Sequence, residues 1–172
     1  MAAQRNLPIG VQSFDNIRNR GYLYVDKTQY IKDLLRGQVY FLSRPRRFGK
    51  SLLLSTLAAY FEGKKELFNG LFLEHGEPEL AEEEGREAWV AYPVLRIDLN
   101  AKYYISEEKL VEKLNVQLEL LEKRYAVERT KEALEDRFFN LIESIYQATG
   151  RQVVLLIDEY DKPLLQTINR GI

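Results

Sequence analysis

The chain has 172 residues, with 25 basic against 26 acidic side chains, a net charge of −1, no cysteine and 45% hydrophobic residues. That length suits one domain with a real core, the absence of cysteine excludes a disulfide framework, and near-neutral charge argues against non-specific nucleic-acid binding as the main role. No run reaches the roughly 18 consecutive apolar residues of a membrane span, and residues 1–10 lack the apolar region of a signal peptide, so a cytoplasmic protein with no membrane partner is expected.

In chain order, Tyr22, Tyr24 and Val25 ahead of Asp26-Lys27-Thr28 predict a short extended piece, and Tyr30, Ile31, Leu34 and Leu35 at helical spacing predict a helix ending near Gly37. The apolar run at 39–42 predicts a strand. Leu52, Leu53, Leu54, Leu57, Ala58, Tyr60 and Phe61 cover most of the next helix, the pattern of one buried by its neighbours, and Gly63 stops it. From 64 to 91 the chain is acidic and punctuated by glycine, with Glu82-Glu83-Glu84 between His75 and Trp89. It reads as a solvated connection with short helical parts, and His75, lacking a second imidazole or any cysteine, as a surface histidine.

Residues 93–99, Pro-Val-Leu-Arg-Ile-Asp-Leu, predict a second strand. Ser106 is placed to cap a helix whose Glu107 and Glu108 suit the positive end of its dipole and whose stripe is Leu110, Leu114, Leu118, Leu121 and Tyr125. Another helix is expected from Thr130, carrying Leu134, Phe138, Leu141, Ile145 and Tyr146 and closing at Gly150, before a last strand at 153–157. Strands alternating with helices imply an α/β fold, a parallel sheet flanked by helices.

Between the first strand and the buried helix stands Arg44-Pro45-Arg46-Arg47-Phe48-Gly49-Lys50-Ser51. A strand, such a loop and a helix make a phosphate-binding P-loop: backbone N–H groups wrap the phosphates, the lysine reaches the β- and γ-phosphates, and the serine hydroxyl ligates Mg²⁺. Lys50 is therefore the candidate clamp, Ser51 a candidate metal ligand, and Arg46, Arg47, Phe48, Gly49 and Leu52 the candidate cradle. The usual pattern has glycine where this chain has Arg44, which limits positive-φ conformations in the upstream half. The alternative is an ordinary basic turn ahead of a buried helix. A phosphate site accounts for the charge of Arg36, Arg44, Arg46, Arg47 and Lys50 more simply than DNA does.

Val153-Val154-Leu155-Leu156-Ile157-Asp158-Glu159 reads as a Walker B strand covered on both faces, its acids at the carboxyl end where parallel sheets bind ligands. Asp158 is then placed to hold Mg²⁺ through its water shell and Glu159 to polarise the attacking water. The alternative is an acidic pair that merely ends a core strand. Asp-x-x-Gly and Asn-Lys-x-Asp signatures of guanine-nucleotide domains are not found, which favours ATP. Asp98 with Glu107 and Lys109 imitates the acids and lysine of a PD-(D/E)XK nuclease, but the last two fall at a predicted helix start.

Tyr24-Val25-Asp26-Lys27-Thr28-x-Tyr30-Ile31, the loop at 44–51 and Asp158-Glu159-Tyr160-Asp161-Lys162-Pro163 together resemble the AAA-ATPase-like domains of bacterial proteins that often carry a PD-(D/E)XK nuclease-like region downstream. The resemblance spans nearly the whole chain. It implies a P-loop NTPase-like fold, ATP binding with Mg²⁺, and an Arg44 that belongs to the family's usual loop. In P-loop ATPases of this type the segment ahead of the loop packs near adenine, so Tyr24, Val25 and Thr28 are candidate neighbours of the base; simple core positions are the alternative. The chain is then expected to be the N-terminal part of such a domain, with 1–37 near the nucleotide site and 38–172 running from P-loop to Walker B strand. Its sheet is expected to be incomplete at the C-terminus, because the strand and sensor residue that complete such sheets come later in sequence. Homo-oligomers or a downstream domain are the candidate partners, with nucleic acid engaged only through a further region. Arg170 is a guess at an arginine finger. A nucleotide-responsive regulatory module, or a relic that binds protein, is the other function class.

Overall fold

Ser13 accepts the Asn16 N–H on its hydroxyl at 3.3 Å and so starts the first helix, α1 (Phe14–Asn19). A computed structural model describes residues 6–43, 45, 47–100 and 107–162, and the chain divides into two units, Met1–Ala91 and Tyr92–Ile172. In the first unit a 3-10 turn, Thr28–Tyr30, leads into α2 (Ile31–Leu34), followed by α3 (Lys50–Phe61), a second 3-10 turn at Lys65–Phe68 and α4 (Leu73–Glu83). Phe14 and Ile17 of α1 are buried, as are Ile31, Leu57 to Tyr60 on α3, and Phe68 and Leu73. The Phe68 ring is the hub, 5.0 Å from Phe14 and 5.1 Å from Trp89.

α3 ends as its glycine predicts. Gly63 takes φ +70°, and the Lys64 N–H reaches back to Ala59 O at 3.1 Å, a Schellman-type closure. A β-carbon at Gly63 would also stand 2.9 Å from Trp89 O.

Two expectations fail in this unit. Residues 39–42 are not a strand; Val39 and Phe41 are 77% and 80% exposed. An apolar run becomes a strand only when a neighbouring strand takes its backbone groups, and the two strands among the described residues pair with each other. Residues 64–91 are not a solvated connection, since Leu67, Phe68, Leu71, Leu73 and Ala81 belong to the core. The acids of α4 mostly face outward, but Glu77 is 1% exposed. Its carboxylate accepts from the Tyr60 hydroxyl at 2.6 Å, from Arg86 Nη1 at 2.6 Å and from the Trp89 N–H at 3.1 Å. Burial, reinforced by the bond to Glu77, pushes the Tyr60 phenol well above its usual range. The hydrogen bond from Arg86 to Glu77 raises the Arg86 guanidinium.

The second unit is a mixed helix-and-strand arrangement, with β1 (Val94–Asp98) and β2 (Val154–Asp158) paired in parallel, Val94 opposite Val154 and Asp98 opposite Asp158. The crossover between them is α5 (Glu107–Arg124) and α6 (Leu134–Thr149). Leu118 and Leu121 of α5 pack with Leu141 and Ile145 of α6 over Leu95 and Ile97. Both helices follow the predicted stripes except at Tyr146, which is 50% exposed, and α6 starts at Leu134 and not Thr130. Ser106, the predicted cap of α5, lies outside the described residues. Inside the pair, Arg137 and Glu122 form a buried bidentate ion pair at 3.0 and 2.7 Å. Arg137 also donates to Asn115 Oδ1 at 2.5 Å.

β2 is less covered than a strand buried on both faces: Leu155 and Ile157 are 40% and 38% exposed. Among the described residues it has one strand neighbour, so the sheet is a two-stranded parallel ribbon flanked by helices. No helix of the described residues is long and apolar enough to cross a membrane.

Candidate functional site

α3 begins on glycine for a conformational reason. Gly49 sits at the N-cap with φ +78°, a left-handed value that side chains adopt at a cost, while a β-carbon there would meet nothing within 4 Å. The first bond of the helix runs from the Leu53 N–H to Gly49 O at 2.9 Å. Lys50, Ser51 and Leu52 therefore form the first turn, whose N–H groups precede the intrahelical ladder. Gly49 supplies no side-chain cap and the first turn holds no acid, a helix start whose positive dipole end suits an anion. All three residues are half-buried, whereas Arg47, Phe48 and Gly49 are exposed. The loop turns through a Phe48 N–H to Pro45 O bond at 3.4 Å, and Arg47 takes φ +67°, strain of the kind that concentrates at functional loops. Arg44 and Arg46 lie outside the described residues.

Asp158 and Glu159 close β2 in the other unit. Asp158 Oδ1 accepts the Glu159 N–H at 2.9 Å, and Glu159 takes φ +55°, so the backbone leaves the strand in a left-handed step at the second acid. Sequence reading missed what stands beside them. Asp98 is the register partner of Asp158, and paired residues of parallel strands project to the same side of the sheet, which brings two carboxylates together at the carboxyl edge. Gln117 fixes Asp98 from α5, accepting its N–H at 2.7 Å and donating to its carbonyl at 3.1 Å. Asn100 donates its N–H to Asp98 Oδ1 at 2.7 Å, and its own side-chain oxygen accepts from the Lys162 ammonium. The signal was present as a repeated ending, Leu95-Arg96-Ile97-Asp98 and Leu155-Leu156-Ile157-Asp158.

Lys109 pairs with Glu112 at 2.5 Å on the exposed face of α5, which accounts for it without a nuclease site. His75 is 84% exposed in its side chain, as expected. Of the candidate base neighbours, Val25 is 70% exposed and Thr28 is 1% exposed, and the Tyr24 hydroxyl lies 3.4 Å from Thr56 Oγ1. Burial raises the Tyr24 phenol. Pro163 and Arg170 lie outside the described residues.

Ser51 in the first unit and Asp158 in the second each carry an oxygen of the kind hard cations take; among the described residues Asp161 Oδ1 is buried with no hydrogen-bond partner, and no group of three or more His, Cys, Asp or Glu side chains forms a cage of its own. Mg²⁺ characteristically keeps waters and substrate phosphates in its shell and takes one or two carboxylates.

The profile of a family described as predicted AAA-ATPase, AAA-ATPase-like, matches residues 8–171. The chain is similar to a protein of Azotobacter chroococcum mcd 1 described as "Uncharacterized protein in vnfD 5'region", with 40% identity over 171 residues. That match covers 98% of this chain and 31% of the relative, so the chain spans about a third of the relative's length. No solved structure matches.

Proposed function

The chain belongs to the family of predicted AAA-ATPases, and from that premise we propose that it is the P-loop part of a larger protein, binding ATP with Mg²⁺ and hydrolysing it to ADP and phosphate. The carrying observation is the amino end of α3: a left-handed Gly49, then Lys50 and Ser51, with no side-chain cap and no acid in the first turn. Loop amides from 47 to 52 with the Arg46 and Arg47 side chains surround the phosphates, and Lys50 clamps the β- and γ-oxygens. Ser51 and Asp158 would be the ligands of Mg²⁺, which when bound would neutralise phosphate charge. Glu159 orients the water and takes its proton as that water attacks the γ-phosphorus.

Titration with ATP and Mg²⁺ beside a phosphate-release assay on the same sample tests this. Lys50→Ala is expected to weaken binding, whereas Glu159→Gln keeps affinity and slows release by about 10²- to 10⁴-fold, the usual general-base range. Turnover equal to the parent in Glu159→Gln removes that residue from its role. Arg44 in place of the usual glycine favours a second reading, a nucleotide-responsive module without useful hydrolysis. Binding with no phosphate release selects it.

A further inference from the structure

The stretch around Asp26 was a candidate border for adenine, yet its polar atoms are committed elsewhere in its own unit. Asp26 Oδ1 accepts the Thr28 N–H at 2.8 Å, a local turn of the Asx kind. Its other oxygen accepts the Phe72 N–H at 2.6 Å. Thr28 Oγ1 accepts the Leu73 N–H at 3.3 Å. Phe72 is the N-cap residue of α4 and Leu73 its first helical residue, and α4 has no side-chain cap at its N-cap position. Such N–H groups have no partner inside a helix and must find one outside it. Here they find one in a segment more than forty residues earlier. One turn of chain before Asp26, the Tyr24 hydroxyl meets Thr56 Oγ1 on α3.

We propose that residues 24–28 are a clip that caps α4 from a distance and braces α3, with Asp26 and Thr28 as positioning residues and not as contacts to a base. Asp26 supplies a carboxylate where the helix dipole is positive, and Thr28 supplies a hydroxyl where burial forbids a water. α4 in turn carries Glu77, whose carboxylate holds Tyr60 of α3. The clip therefore ties the turn that starts α4 to the helix that starts with Lys50. Only this last link rests on the proposed nucleotide site.

Amide exchange followed residue by residue in Thr28→Val and Asp26→Ala proteins tests the cap directly. Thr28→Val removes the acceptor of Leu73, whose N–H is expected to exchange about fivefold faster, the equivalent of a typical lost cap, and Asp26→Ala is expected to do the same to Phe72. Thr28→Ser keeps the hydroxyl and is expected to restore protection. If Asp26→Ala fails to fold, Asp26→Asn retains one acceptor oxygen and is expected to give intermediate protection. ATP titration of the Thr28→Val protein is expected to stay within about twofold of the parent, since α4 is braced at a second point through Glu77. Unchanged exchange at Leu73 in Thr28→Val, or at Phe72 in Asp26→Ala, overturns the proposal. So does a loss of ATP affinity above about tenfold with α4 protection intact, which returns Thr28 to the base. A parent protein that binds no ATP sinks the nucleotide reading alone and leaves the exchange result to decide the clip.

Discussion

Replacing Glu77 with leucine probes the centre of the first unit. Leucine is close to glutamate in size and removes both acceptor oxygens, stranding the Tyr60 hydroxyl and the Trp89 N–H. Arg86 is affected less, because its side chain is 27% exposed and already pairs with Glu84 at 2.6 Å. Two stranded donors at about 1–3 kcal/mol each give an expected loss of about 2–6 kcal/mol. Tyr60→Phe removes one donor and leaves the carboxylate with Arg86 and Trp89, so about 0.5–1.5 kcal/mol is expected. Urea unfolding followed by tryptophan fluorescence reads this unit, because the chain has one tryptophan and its ring lies 5.9 Å from Tyr60 and 5.1 Å from Phe68. A Glu77→Leu loss below about 1 kcal/mol would refute the reasoning, since it would mean that neither donor is stranded.

The raised Tyr60 phenol makes stability fall at alkaline pH. The folded state holds the proton past the ordinary value of 10.0, so the contribution is intact below that pH and is lost as pH rises above it; unfolding free energies measured from pH 8 to 11 should slope downward, less steeply in Tyr60→Phe. Gly63→Ala places a side chain at φ +70° and against Trp89 O, with an expected cost of about 1–3 kcal/mol in the same fluorescence assay. Leu141, fully buried between α5, α6 and β1, should cost about 2–5 kcal/mol as alanine, read by circular dichroism in urea. Glu122→Ala leaves Arg137 buried without its partner and should cost about 3–5 kcal/mol. A Glu122→Leu, Arg137→Met double variant should recover much of that loss in the same melt.

The parts legible in the sequence were those decided within a turn or two of chain. Gly49 before Lys50 and Ser51 marks a helix start because the left-handed N-cap and the apolar run after it are local. Leu114, Leu118 and Leu121, and Leu141 with Ile145, declare their helices because each helix buries a single stripe against β1. Residues 39–42 misled because a strand is made by its neighbour and not by its own apolarity. Residues 64–91 misled because Leu67, Phe68, Leu71 and Leu73 are scattered among acids, and only packing against α1 and α3 shows that they are core.

Chain chemistry alone thus determined α3, α5 and α6, the two Leu-x-Ile-Asp strands, the phosphate-loop motif and the family resemblance. Tertiary structure decided that Asp98 stands opposite Asp158, that Glu77 is buried among donors, and that Asp26 and Thr28 serve α4. Those three facts join residues 60, 9 to 17, and 45 or 46 positions apart. Hydrogen bonds and register over such separations depend on how elements pack, and no local propensity encodes them.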